Sequence, residues 1–134
     1  MTSGIRLRKE SISMNKSKYG NKKYEVDGIK FDSKREANRY RELKVFEKAK
    51  LIKDLKLQVP FELIPKQPLL KPFLLKNGKT KRHFSSISYV ADFTYIDCDT
   101  GDYVVEDAKG FETDVFKLKE KMMLYFHNIQ IRKV

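Results

Sequence analysis

The chain has 134 residues, room for one compact domain and no second, and its 40% hydrophobic content supports a core and excludes wholesale disorder. It carries 29 Lys and Arg against 18 Asp and Glu, a formal net charge of +11, so a polyanion or anionic surface is the expected partner and a merely soluble basic surface the plainer alternative. No apolar run approaches the ~20 residues that span a bilayer and no secretory signal pattern opens the chain; the lone Cys98 forbids an intrachain disulfide and suits a reducing cytoplasm, and with His83 and His127 as the only histidines a Cys/His zinc site is excluded.

Residues 1–21 are basic, polar and aperiodic and are expected to form a flexible arm, within which Met14 is an alternative start that leaves the status of residues 1–13 open. A hairpin is predicted at 22–26 and 29–31 around Asp27-Gly28, a pair suited to a type I′ turn. Ser33, with Glu36 three residues on, reads as a capping box opening a helix over 34–49, whose apolar stripe is Ala37, Tyr40, Leu43 and Phe46. Alternation of Leu55, Leu57, Val59, Phe61 and Leu63 predicts a half-buried strand, which Pro60 confines to an edge or a bulge. Three prolines, Asn77-Gly78 and many lysines make 65–85 a mobile basic loop or loose hairpin.

The strongest strand signal is 86–97, with Ile87, Tyr89, Ala91, Phe93 and Tyr95 on one face and Val90, Asp92, Thr94 and Ile96 on the other. A turn at 97–102 leads to a second strand, 103–109, broken by Gly110. Thr113 or Asp114 caps a second helix with Val115, Leu118, Met122 and Phe126 as its expected buried stripe; Asn128 ends it, and 129–133 reads as a short last strand. The order predicts an α/β domain over 22–134: a mixed sheet flanked by two helices, after an N-terminal β-hairpin.

Asp92 stands in a segment otherwise suited to a sheet interior, where a carboxylate must be paired, hydrogen-bonded or metal-bound, unless it marks an exposed sheet end. On the next strand Asp107 and Lys109 share one face and Glu106 points to the other, which assigns Glu106 to structure. Two carboxylates from neighbouring strands can hold a hard divalent cation, with the Ala108 carbonyl as a further oxygen. A lysine beside them can offset charge on a phosphate. An isolated Asp-X-Lys is otherwise an ordinary ion pair.

Asp92, followed after a turn by Asp107-Ala108-Lys109, with Val104-Val105 before and Gly110 after, resembles the signature of the PD-(D/E)XK nucleases; Ala91 stands where the pattern often has proline. The resemblance covers about residues 33–134 and implies a restriction-endonuclease-like core and a DNA endonuclease dependent on Mg²⁺ or Mn²⁺. It gives Asp92, Asp107 and Lys109 catalytic roles, and makes Glu36 a further site carboxylate if it is not simply the capping-box partner. It also implies a polar helper from the second helix, for which Lys117 is the candidate, a solvated helix face being the alternative. The segments DGIKFDSKREANRY, YVADFTY and VVEDAKG resemble a phage and prophage family, and small phage-type nucleases such as junction-resolving enzymes and the transposon-end nuclease subunit are similar. A phage-encoded protein acting in the cytoplasm of a bacterial host follows as the expectation.

DNA rather than a membrane is thus the expected partner. Lys22, Lys34, Arg35, Lys81, Arg82 and Lys121 are the expected backbone contacts. Branched DNA is the expected substrate and a homodimer the expected assembly, because one chain has one site and cutting both strands needs two. The rival reading is a non-catalytic nucleic-acid-binding phage protein.

Overall fold

A computed structural model of the chain describes residues 23–134. The expected arm at 1–21 and Lys22 lie outside the described residues. The chain divides into two compact units, Met1–Val45 and Phe46–Val134.

In the first unit, β1 (Tyr24–Val26) and β2 (Ile29–Phe31) pair antiparallel. Asp27 and Gly28 have φ of 53° and 79°, the left-handed pair that a type I′ turn demands and that Gly and Asp tolerate best. α1 (Lys34–Lys48) follows directly. The Glu36 N–H donates to Ser33 Oγ at 3.1 Å, the Ser33 half of the predicted capping box. Ala37, Tyr40 and Leu43 are buried, as the stripe predicts. The Phe31 and Tyr40 rings, centroids 5.1 Å apart, fasten the hairpin to the helix.

The second unit holds β3 (Ile52–Ile64), β4 (Gln67–Leu74), β5 (Thr80–Phe84), β6 (Ile87–Asp97), β7 (Tyr103–Asp107), α2 (Asp114–His127) and β8 (Arg132–Lys133). Its main sheet runs β3-β6-β7-β8, antiparallel between β3 and β6 and between β6 and β7, parallel between β7 and β8. The architecture is therefore mixed α/β with a mixed sheet and two helices. Pro60 can sit in β3 because β3 is an edge strand of this sheet, where one side needs no N–H donor. The segment expected as a loop or loose hairpin is a separate two-stranded sheet, β4 with β5. Its turn closes through Leu75 N–H to Lys79 O at 2.8 Å and Gly78 N–H to Leu75 O at 3.0 Å. Among the described residues no helix is long and apolar enough to cross a membrane.

The core between sheet and α2 is Leu63, Tyr89, Ala91, Val105, Phe116, Met123 and Ile131. Thr113 caps α2, its Oγ1 accepting from the Phe116 N–H at 3.0 Å, and Asn128 ends it in the left-handed conformation at φ 56°. His127 Nε2, 2.7 Å from Glu62 O, and its ring against Phe61 tie the end of the helix to β3.

Two readings of side-chain direction require correction. In α2 the buried residues are Phe116 and Met123, while Val115, Leu118 and Phe126 are exposed and Met122 only partly covered. The helix carries two apolar stripes, and the sheet accepts the one that puts an aromatic ring beside Tyr89. In β6 a single face does not persist: Tyr89 and Ala91 join the α2-side cluster, whereas Tyr95 reaches Glu106, on the opposite side of β7 from Val105. Pairing of β6 with β7 starts only at Phe93, so the first half of β6 is held by β3 alone and the second half by both neighbours.

Candidate active site

β6 and β7 pair as Phe93 with Glu106 and Thr94 with Val105. One step further along that register Asp92 stands opposite Asp107, at the point where the strands part. The Asp92 side chain fills the opening: Oδ2 accepts from the Ala108 N–H at 2.9 Å. From the other side, Gln58 on β3 brings Nε2 to 3.4 Å from Asp92 Oδ1, a weak bond. Gln58 does so from φ 52°, a left-handed conformation that strains a non-glycine residue within a strand.

Asp107 is buried. Its Oδ2 accepts from the Tyr89 hydroxyl at 2.6 Å. Its Oδ1 has no hydrogen-bond partner; the Lys109 ammonium stands 3.5 Å away, an ion-pair contact. Lys109 is steadied from beneath, its Nζ 4.7 Å from the centre of the Phe116 ring. The backbone on either side is pinned by Val134, whose N–H donates to Asp107 O at 3.0 Å and whose carbonyl accepts from Lys109 N–H at 3.2 Å.

Burial, with the nearby Asp107 carboxylate adding to it, raises the Asp92 pKa to about 6 against the lowering pull of the Ala108 N–H. Burial and then the Asp107 carboxylate push the Tyr89 hydroxyl far above its ordinary range, so it stays a donor. Asp92 is thus short of compensating positive charge, and one buried Asp107 oxygen lacks a hydrogen bond, an environment that a divalent cation would relieve. Among the described residues no group of three or more His, Cys, Asp and Glu side chains is placed to hold a metal ion.

Residues 16–134 match a family described as "Protein of unknown function (DUF1064)". The chain belongs to the DUF1064 family. No curated protein and no solved structure matches it.

Of the residues singled out in this DUF1064 sequence, Asp92, Asp107, Ala108 and Lys109 come together. Glu36 lies in the first unit, buried at 9% exposure, with its backbone in the Ser33 cap. Glu106 faces away from Asp107: it is wholly buried, bonded to the Tyr95 hydroxyl, and 3.9 Å from Arg132 Nη1. Lys117 is exposed on α2. The acidic residue of α2 in this region is Glu120, which adds to the negative field at Tyr89 and binds Lys133 Nζ at 2.9 Å. Lys34, Arg35, Arg82 and Lys121 are exposed and Lys81 half-buried. Sequence reasoning missed Tyr89, Gln58 and Glu120. Tyr89 was visible as an aromatic three residues before Asp92, but its hydroxyl bond to Asp107 joins residues on different strands, which no local pattern in the sequence shows.

The raised Asp92 pKa has a consequence for stability. From pH 4 to 6 the unfolded chain has already released this proton while the folded chain retains it, so stability falls as pH rises through that window. Asp92→Asn removes the cost of ionisation and keeps an acceptor for Ala108. At pH 8 in chelator it is expected to stabilise by about 1–2 kcal/mol after allowance for solvent screening, raising Tm by ~3–8 °C. The gain should vanish at pH 4. Thermal melts at the two pH values check this, and an equal gain at both would show that Asp92 ionisation is not its source.

Proposed function

We propose that the protein is a divalent-metal-dependent DNA endonuclease with a PD-(D/E)XK-type site on a restriction-endonuclease-like core. One observation carries the reading: the strand register sets Asp92 opposite Asp107 where β6 and β7 part, and Lys109 stands 3.5 Å from a buried Asp107 oxygen that has no hydrogen bond. The element order supports it, with α1, three antiparallel strands, α2 and a last parallel strand following the arrangement that the resemblance implies. The net charge of +11 suits a polyanionic substrate.

Asp92 and Asp107 would hold Mg²⁺ or Mn²⁺ together with the Ala108 carbonyl, and the bound ion would supply Lewis-acid charge and a more acidic water for phosphodiester hydrolysis. The chain's own groups do the positioning. Tyr89 fixes one oxygen of Asp107, and the Ala108 N–H fixes one oxygen of Asp92. Lys109, cushioned on Phe116, places a positive charge where it offsets charge building on the phosphate. Branched phage DNA as the substrate and a homodimer as the working form belong to the same proposal, since paired strand cuts need two sites.

The test is cleavage of linear, single-stranded, flapped and four-way DNA. Mg²⁺ or Mn²⁺ should support cutting and excess chelator should stop it. Ca²⁺, with its looser coordination, should permit binding with little cutting. A dimeric mass and tighter binding to the four-way junction than to linear duplex are expected in Ca²⁺. Cutting that persists in chelator would end the metal mechanism; DNA binding without cutting under any metal would favour a non-catalytic binding protein.

A further inference from the structure

The ribbon formed by β4 and β5 plays no part in the site described above. Between Pro65 and Ser85 it carries Lys66, Lys71, Lys76, Lys79, Lys81 and Arg82, with no Asp or Glu. Both strands are exposed almost throughout, including the apolar Leu70, Phe73, Leu74 and Phe84. An isolated two-stranded ribbon is marginal in water, so this one lacks the packing that would explain its regularity. The register also shifts: Pro68 pairs with His83 and Phe73 with Lys81, leaving residues 69–72 opposite Arg82 alone. That bulge thrusts out Leu70, which is fully exposed.

We propose that this ribbon docks in the major groove of duplex DNA next to the cleaved bond. The choice of duplex DNA rests on the nuclease reading; the rest stands on charge, edge chemistry and size. Six positive charges without an acid repel a second copy of themselves and attract phosphate. Pro68, Pro72 and the lysines deny its edges to a protein strand seeking backbone hydrogen bonds. Two strands ~5 Å apart with their side chains fit a groove ~12 Å wide, where an exposed leucine can meet thymine methyl groups.

The ribbon follows the ladder that positions the site, separated from it by two residues on each strand. The β3–β6 ladder ends at Ile64 with Ile87, and the ribbon resumes at Gln67 with Phe84. At about 3.3 Å per residue, the chain from Asp92 to Thr80 spans at most ~40 Å, a little over one turn of B-DNA. That length limits the ribbon's reach to about one helical turn on one side of the site.

The experiment measures binding of the intact chain to a linear duplex in chelator, where no cutting is needed, as a function of salt. Beside it stand the Lys71→Gln, Lys76→Gln, Lys79→Gln triple variant and Leu70→Ser, each checked for an unchanged Tm. The triple variant should bind roughly tenfold or more weakly, with a log–log salt slope shallower by about 2–3, since each phosphate left unneutralised removes about 0.9. Leu70→Ser should weaken binding without changing the slope, and its footprint should keep its length, whereas the triple variant's should shorten on one side. A major-groove dye should compete and a minor-groove ligand should not. Unchanged slopes in the triple variant, competition by the minor-groove ligand alone, or a fall from dimer to monomer in either variant would overturn the proposal. Ribbon-dependent binding by a chain that never cuts would retain the ribbon and remove the nuclease; cutting with ribbon-independent binding would do the reverse.

Discussion

On the proposed metal mechanism, Asp107→Asn should lower the cleavage rate by about two to four orders of magnitude, whereas Glu106→Gln, its immediate neighbour, should leave most of the activity in place. The two acids take opposite sides of β7 and so meet different partners. Asp107 meets Tyr89 and Lys109; Glu106 is wholly buried and bonded to Tyr95, with Arg132 near. Asn at 107 still accepts from Tyr89 but loses the charge that a cation needs, so the fold persists and chemistry fails. Gln at 106 keeps an acceptor for Tyr95 and forfeits attraction to Arg132, a stability loss of about 1–3 kcal/mol. Lys109→Ala and Asp92→Ala should follow Asp107→Asn in rate. Single-turnover cleavage with circular dichroism on each variant decides the matter. A dead Glu106→Gln beside an active Asp107→Asn would mean that the strand faces are assigned the wrong way round.

Met123→Ala should destabilise the chain by about 2–5 kcal/mol, while Val115→Ala and Leu118→Ala should each change stability by no more than ~0.5 kcal/mol. Met123 is fully buried among Leu63, Tyr89, Val105 and Ile131, so truncation leaves a cavity that sheet and helix cannot both close. Val115 and Leu118 face outward and remove little apolar area from water. Denaturant unfolding of the three variants measures the difference directly. If Leu118→Ala were the costly one, the helix would be packed on the stripe read from its periodicity.

The determinants that the sequence settles by itself are local ones. Asp27-Gly28 dictates its turn, because few other pairs accept two left-handed residues in succession. Ser33 and Thr113 start helices because their oxygens satisfy amide donors within reach of their own backbone. Pro60 places β3 at an edge through a missing N–H. The Asp92 and Asp107-Ala108-Lys109 constellation was legible for the same reason: a short turn between paired strands fixes register, and alternation then fixes faces over a few residues.

Tertiary structure decided what periodicity leaves degenerate. α2 offers Val115, Leu118, Met122 and Phe126 as one apolar stripe and Phe116 with Met123 as another, and only the shape of the sheet surface selects between them. Tyr89 joins Asp107, rather than the side of Phe93 and Tyr95, in the half of β6 that only β3 pairs, and which neighbours a strand has along its length is not encoded in that strand. Gln58 meets Asp92 through a backbone strain that only the finished sheet can hold in place. Residues 65–85 show the same divide: composition gives their prolines, their charge and the choice between a loop and a loose hairpin, and only the structure shows two paired strands there, with their register and bulge.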